Sequence, residues 1–107
     1  MKLNPMPFEL IKNGQQVIET RLYDEKRRGI NVGDEIVFYL TTDENQKIKT
    51  KVLELLRFKI FSELFDSYPP ELFGGKSKED LLGIYKYYTK EQEAKYGVLG
   101  IRFECYS

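Results

Sequence analysis

The chain has 107 residues, 41% of them apolar, and its 17 lysines and arginines balance 17 aspartates and glutamates. This length and composition predict one globular domain over residues 1–107 and argue against two domains or a disordered chain. The absence of histidine excludes Ser-His-Asp and Cys-His catalysis within the chain, and a formal charge of zero argues against non-specific nucleic-acid binding unless the charges are unevenly distributed.

The first part of the chain predicts one short helix and two strands. Residues 7–14 indicate the helix, which begins with proline and ends at glycine. Residues 17–23 indicate a strand whose alternation places Glu19 and Arg21 on one face and apolar residues on the other. A second strand follows over residues 35–41, after a charged connection.

A hairpin with a long second strand is predicted next. We expect residues 42–46, Thr-Asp-Glu-Asn-Gln, to form the turn because these residue types favour turns. The strand over residues 47–58 loses its alternation at Leu53, which indicates either a β-bulge or a passage from an exposed edge into a doubly buried region. Three lysines share one face of its first half: Lys47, Lys49 and Lys51. They could follow an RNA backbone, but lysines on an exposed strand also prevent edge-to-edge pairing, and we favour this second interpretation.

The last third of the chain predicts helices and a closing strand. Residues 61–68 indicate a helix that two prolines end. Ser77 is typical of an N-cap and begins a predicted helix over residues 77–88. The capping-box pattern at residues 89–92 begins a further helix, which a glycine ends, and residues 98–106 form the final strand.

The alternating apolar positions predict which strand residues are buried. Cys105 continues the alternation of the last strand, so we expect a buried small side chain rather than a reactive thiol. The order of helix, three strands, helices and strand predicts an α+β fold with a small curved sheet or barrel. Six residues are expected to meet in one barrel-like core, with the helix over residues 77–88 outside it: Ile18, Ile36, Phe38, Leu99, Ile101 and Phe103.

Residues 14–22, Gly-Gln-Gln-Val-Ile-Glu-Thr-Arg-Leu, resemble the signature of the activating-signal-cointegrator homology (ASCH) family. That signature begins with glycine after a short helix and carries glutamate and arginine two positions apart on the first strand. The resemblance continues, in order, through residues 24–27, 32–34, 61–65 and 96–101. It implies an α+β fold with a small β-barrel related to the pseudouridine-synthase and archaeosine-transglycosylase (PUA) domain, short peripheral helices, and a cleft beside the first strand.

The resemblance also implies a function. ASCH domains are generally associated with RNA, and the family includes ribonucleases and an amidohydrolase of acetylated cytidine. Gln16 stands where the amidohydrolase branch has its catalytic lysine, and Glu19 where it has a threonine nucleophile candidate; an amide cannot supply the basicity of an amine. We therefore expect a module that binds RNA or a modified nucleotide. The alternative is a small hydrolase, either a metal-dependent ribonuclease or an amidohydrolase, and a third hypothesis is a protein-interaction domain.

Two interpretations of Glu19 and Arg21 stay open. As a binding site, Arg21 would contact a phosphate or a base edge while Glu19 accepts hydrogen bonds from an amino group. As structural residues they would form an ion pair, with each other or with Glu63 or Arg102, at the mouth of the barrel. A hydrolase would use Glu19 and Glu63 as catalytic residues. The residues expected to bind the nucleotide are Gln16, Glu19, Arg21, Tyr23, Lys26, Arg27 and Arg102.

The expected partners are RNA or a nucleotide, with no cofactor unless a ribonuclease activity requires a divalent metal. No run of about 18 apolar residues occurs, which excludes a membrane span. A single cysteine and the lack of a signal-peptide-like apolar stretch near Met1 predict a cytoplasmic location. We expect Tyr23, Tyr39 and Tyr68 to offer stacking surfaces in the cleft, and the tyrosines of residues 81–88 to pack a helix on the sheet.

Overall fold

The structure, a computed structural model that describes residues 1–106, is built on a five-stranded mixed sheet. β1 pairs in parallel with β3, all other neighbours are antiparallel, and the spatial order is β1-β3-β4-β5-β2. The sheet forms a half-barrel, which confirms the predicted α+β, PUA-like barrel fold. The strands are β1 (Lys2–Leu3), β2 (Ile18–Leu22), β3 (Glu35–Leu40), β4 (Asp43–Phe58) and β5 (Val98–Cys105).

Within residues 1–106, four short α-helices and two 3-10 segments accompany the sheet, and no helix is long and apolar enough to cross a membrane. Because β1 has only two residues, the sequence carried no periodic signal for it. The α-helices are α1 (Pro5–Lys12), α2 (Phe61–Asp66), α3 (Lys78–Leu81) and α4 (Lys90–Tyr96). The 3-10 segments are Pro70–Phe73 and Leu82–Lys86.

The helix predicted over residues 77–88 is the main correction to the element assignment. Its start is confirmed, because the Ser77 hydroxyl accepts the Asp80 N–H at 3.1 Å. The α-helix ends at Leu81, however, and the chain continues as a 3-10 segment. Gly83 lies inside that segment, and glycine is among the weakest helix formers, which favours the departure from α-helical geometry. The capping box of α4 is confirmed, with both reciprocal hydrogen bonds formed.

Apolar side chains pack on both faces of the sheet, in two clusters. The prediction of one shared core is therefore wrong for Ile18. This residue packs with α2 and the segment Pro70–Phe73, whereas Leu99 and Ile101 pack with α1 on the other face. The first cluster contains Leu3, Phe8, Ile11, Ile36, Phe38, Val52, Leu99, Ile101 and Phe103. The second contains Ile18, Leu22, Phe61, Leu64, Phe65, Phe73 and Val98.

Strand pairing confirms one irregularity of β4 and corrects another. Val52 pairs with Phe103 and Glu54 with Arg102, so Leu53 is the extra residue of a bulge, the first of the two explanations considered for the broken alternation. The hairpin turn is shorter than expected. Leu40 already pairs with Asp43, and residues 44–46 form a second irregularity inside β4.

Cys105 is exposed, which corrects the expectation of a buried cysteine. It pairs with Thr50 at the end of β5, two positions beyond Phe103, the last residue of the strand that belongs to the core. The alternation of side chains therefore continues beyond the last core residue, although the Cys105 thiol still lies 3.6 Å from the carbonyl of Ile11 in α1. Desolvation by its neighbours still raises the pKa of the Cys105 thiol, which disfavours the reactive thiolate.

Candidate functional site

A cleft of about 420 Å³ opens beside β2, between α1 and the 3-10 segment after α3. Its floor consists of polar residues of β2 and of the turn before it, including Gln16, Glu19 and Arg21. The walls are mainly apolar. Met6 and Leu10 of α1 form one side, and Leu81, Ile84, Tyr87 and Tyr88 form the other.

The pairing of β2 with β5 explains why charged residues lie at the bottom of this cleft. Glu19 lies opposite Ile101, and Arg21 lies opposite Leu99. Residues directly opposite each other on neighbouring strands project from the same face. Glu19 and Arg21 therefore share a face with the first apolar cluster, and only 8% of Glu19 remains exposed. The predicted common face of the two residues is confirmed.

Glu19 and Arg21 contact each other, but neither is fully paired. Glu19 Oε2 lies 3.7 Å from Arg21 Nη2, which is longer than a hydrogen bond. Glu19 Oε1 accepts the N–H of Thr20 at 3.0 Å. Glu19 Oε2 and Arg21 Nε are buried with no hydrogen-bond partner. Unsatisfied buried polar atoms cost about 1–3 kcal/mol each, more when charged, so a ligand that satisfies them would gain binding energy.

The buried environment shifts the pKa of both residues upward. Burial raises the pKa of Glu19, and the positive charges of Arg21 and Arg27, together with the Thr20 N–H, oppose this without cancelling it. Burial lowers the pKa of Arg21, but the charge of Glu19 and the hydroxyl of Tyr88 outweigh it and raise the pKa above its usual value. Arg21 thus remains a cation, while Glu19 takes up a proton more readily than an exposed glutamate.

Gln16, in the turn before β2, is held at the floor of the cleft by a hydrogen bond to the first residue of that strand. Only 5% of the residue is exposed, and its Nε2 donates a hydrogen bond to the carbonyl of Ile18 at 3.1 Å. Gly74 follows the segment Pro70–Phe73 with a φ of 85°, and a Cβ there would come within 2.5 Å of Gln16 Oε1. A glycine at this position therefore leaves the room that the Gln16 side chain occupies.

The structure brings three of the predicted nucleotide-binding residues into the cleft, Gln16, Glu19 and Arg21. Lys26 is exposed in the loop after β2 and does not line it. Arg27 forms an ion pair with Asp24 at 3.2 Å, and its charge still acts on Glu19 from outside the cleft.

The remaining predicted site residues also lie outside the cleft. Tyr23 lines a separate groove. Arg102 lies opposite Ile18, on the face that carries the second apolar cluster, with its guanidinium 6.0 Å from the Tyr68 ring. Glu63 is exposed on α2. Among residues 1–106, no three potential metal-ligating side chains converge on one point.

The cleft contains aromatic residues that the sequence analysis missed. Tyr87, 76% exposed, lies at its rim, and Tyr88 acts directly on Arg21. The sequence could have indicated that one of these tyrosines is exposed, because two consecutive residues of a helical segment point in different directions and cannot both pack against the same sheet. Tyr39 and Tyr68 do not line the cleft.

The lysine stripe lies on the exposed first half of β4. Lys47 pairs with β3 on one side only, because β5 begins to pair at Thr50. The carbonyl of Lys49, by contrast, also accepts the N–H of Tyr106 at 3.0 Å. The lysines thus flank a partly open strand edge, the location where lysine opposes edge-to-edge association.

Comparisons with known proteins agree with the fold. The family model of the ASCH domain matches residues 1–107. Among solved structures, the chain is similar to hypothetical protein PH0355, with 35% identity, a TM-score of 0.80, and coverage of 99% of this chain and 100% of that one. It is also similar to protein PF0455 from Pyrococcus furiosus, with 32% identity, a TM-score of 0.66, and coverage of 98% and 97%. No curated protein matches the chain.

Proposed function

Because this chain belongs to the ASCH domain family, whose members are generally associated with RNA, we propose that it binds RNA or a modified nucleotide in the cleft beside β2. One observation carries the proposal. The floor of the cleft holds a carboxylate oxygen and a guanidinium nitrogen, on Glu19 and Arg21, that are buried without hydrogen-bond partners. Such atoms cost stability in the unliganded protein, and they are typical of a site that a ligand completes.

The chemistry of the floor matches a nucleobase edge. Bases carry donors and acceptors side by side, and Glu19 supplies an acceptor while Arg21 supplies planar donors. Ligand sites commonly have volumes of about 300–1,000 Å³ with mainly apolar walls, as this cleft has. The exposed Tyr87 at the rim offers a surface on which a base can stack.

Binding is better supported than hydrolysis. Among the described residues that line the cleft, Glu19 is the one carboxylate, and Glu63 lies outside it. A pair of carboxylates sharing acid and base roles is therefore not assembled there. Gln16 contributes a neutral amide where a nucleophile or base would be needed.

The test compares two arginine variants for RNA affinity. Arg21→Ala removes the guanidinium from the floor of the cleft, and Arg102→Ala makes the same chemical change on the opposite face of the sheet. We expect Arg21→Ala to weaken binding of a fluorescein-labelled RNA decamer by about 1–3 kcal/mol, roughly 5- to 150-fold, and Arg102→Ala by less than about twofold. Fluorescence anisotropy at two salt concentrations measures both, with an expected log-log slope of about −2 to −3 if three or four phosphates are neutralised.

Thermal melting of both variants controls for folding, since Arg21 is partly buried. The proposal fails if the wild type binds neither the decamer nor nucleoside monophosphates at about 50 mM salt, a low concentration at which weak electrostatic binding is strongest. It also fails if both variants weaken RNA binding equally. Cleavage of the RNA by the wild type, with or without Mg²⁺, and its loss in Glu19→Gln with affinity retained, would establish the hydrolase alternative instead.

A further inference from the structure

A second depression, outside the cleft, lies where the ends of β2 and β4 meet the start of β5. This groove has a volume of about 350 Å³. Its principal lining residues are Tyr23, Arg57, Phe58, Lys59 and Tyr96. None of them lines the cleft, so the two concavities are distinct.

Backbone pairing fixes the aromatic side of the groove. The N–H of Tyr23 donates to the carbonyl of Gly97 at 3.0 Å, which places Tyr23 beside Tyr96 at the end of α4. The guanidinium carbon of Arg57 lies 3.9 Å from the centre of the Tyr23 ring, and that of Arg28 lies 5.5 Å from it. Tyr23 thus orients a guanidinium by a cation–π contact, while Arg57 remains exposed to solvent.

The groove carries positive charge although the chain as a whole is neutral. Arg57 and Lys59 line it, Arg28 borders it, and no acidic side chain belongs to its lining among the described residues. The ion pairs found within residues 1–106 include none of these three cations. Their charges are therefore available to an anionic ligand.

Strand geometry places the groove next to Arg21 in the cleft. Leu99 of β5 pairs with Arg21 on one side and with Arg57 on the other. At about 4.8 Å between neighbouring strands, the backbones at Arg21 and Arg57 are roughly 10 Å apart, on the same face. Tyr23 follows Arg21 by two positions, about 6.6 Å along the strand. Successive nucleotides of one single strand can reach both places.

We propose that the groove is a second subsite for single-stranded RNA, in which Arg57 and Lys59 bind backbone phosphate and the exposed guanidinium of Arg57, together with the half-buried tyrosine rings, stacks a base. This inference rests on the proposed function and extends it, because it assigns an oligonucleotide rather than a free nucleotide as the ligand. Bases of single-stranded RNA stack on tyrosine rings and on arginine guanidinium planes, and both surfaces are present. The combination of a cationic track with aromatic platforms is typical of single-strand binding surfaces.

The test measures affinity for two probes, a fluorescein-labelled RNA decamer of mixed sequence and cytidine 5′-monophosphate. Arg57→Ala removes the stacked cation of the groove, and Lys49→Ala removes one positive charge from the far half of the same strand. We expect Arg57→Ala to weaken decamer binding about 5- to 10-fold and to reduce the salt slope by about 0.7, the contribution of one phosphate to single strands. Lys49→Ala is expected to change decamer affinity less than about twofold, and monophosphate binding should be unaffected by either change.

The outcomes separate this inference from the proposed function. If Arg57→Ala leaves decamer affinity unchanged while Arg21→Ala weakens both probes, the groove is not a subsite and the cleft still is. If Arg57→Ala weakens the decamer while Arg21→Ala affects neither probe, the groove binds RNA and the cleft does not. Equal losses from Arg57→Ala and Lys49→Ala indicate diffuse electrostatic attraction and overturn the inference. Tyr96→Leu, which keeps apolar volume, should weaken the decamer about threefold if stacking contributes.

Discussion

Glu93 is a buried carboxylate that joins three elements, and its removal should destabilise the protein far more than removal of its exposed neighbours on α4. Only 5% of Glu93 is exposed. Its Oε2 accepts the backbone N–H of Phe61 at 2.8 Å, at the start of α2, and the hydroxyl of Tyr85 at 2.6 Å, in the 3-10 segment beside the cleft. The same oxygen therefore ties α4 to α2 and to the wall of the cleft.

The magnitude follows from what Glu93→Ala leaves behind. Phe61 is fully buried, so its N–H has no access to water and costs about 1–3 kcal/mol when unsatisfied. The Tyr85 hydroxyl is less buried, and the loss of its charged acceptor adds about 1 kcal/mol. We expect a total loss of about 2–4 kcal/mol, a large share of the 5–15 kcal/mol that is typical of a domain.

Urea denaturation measures this loss against a matched control. Glu91→Ala removes an exposed acidic residue from the first turn of the same helix and should cost less than about 1 kcal/mol. Glu93→Gln keeps an acceptor for the Phe61 N–H and should fall between the two alanine variants. Combined with Tyr85→Phe, Glu93→Ala should lose less than the sum of the single changes, because both remove the same hydrogen bond. Equal losses for Glu93→Ala and Glu91→Ala would refute the reasoning.

Two further predictions concern stability. Since burial raises the pKa of Glu19 above its unfolded value of 4.5, the folded chain holds an extra proton as the pH rises above that value, and the free energy of unfolding should fall through this window. Glu19→Gln should remove this pH dependence, which thermal melting between about pH 4.5 and 7 detects. If the wild type instead gains stability relative to the variant as the pH rises, the contact of Glu19 with Arg21 outweighs burial. At Gly100, an added Cβ would lie 2.7 Å from Leu64 Cδ1, so Gly100→Ala should cost about 1–3 kcal/mol in denaturant unfolding. Leu64→Ala should relieve part of that cost, and strict additivity of the two changes would contradict the predicted clash.

Local signals in the sequence were sufficient for several helix ends and for the faces of the strands. The caps at Ser77 and Thr89 involve residues within three positions of each other, so the side chain that satisfies the backbone is visible in the sequence. Gly97, with a φ of 73°, ends α4 as expected. The side-chain alternation of β2 predicted that Glu19 and Arg21 share a face, because that relation depends only on strand geometry.

What the sequence by itself determined was therefore the longer strands, the helix caps and the membership of each strand face, but not β1 or the 3-10 segments. The tertiary structure decided what covers each face. The packing of α2 on the side of Ile18 buries that side separately from Leu99, and Cys105 remains exposed although it continues the alternation of β5. The burial of Glu93 depends on partners 32 and 8 positions away. Such relations arise from pairing across long sequence separations, which no local pattern records. The cleft has the same origin, because α1, β2 and residues 81–88 meet only when the sheet has formed.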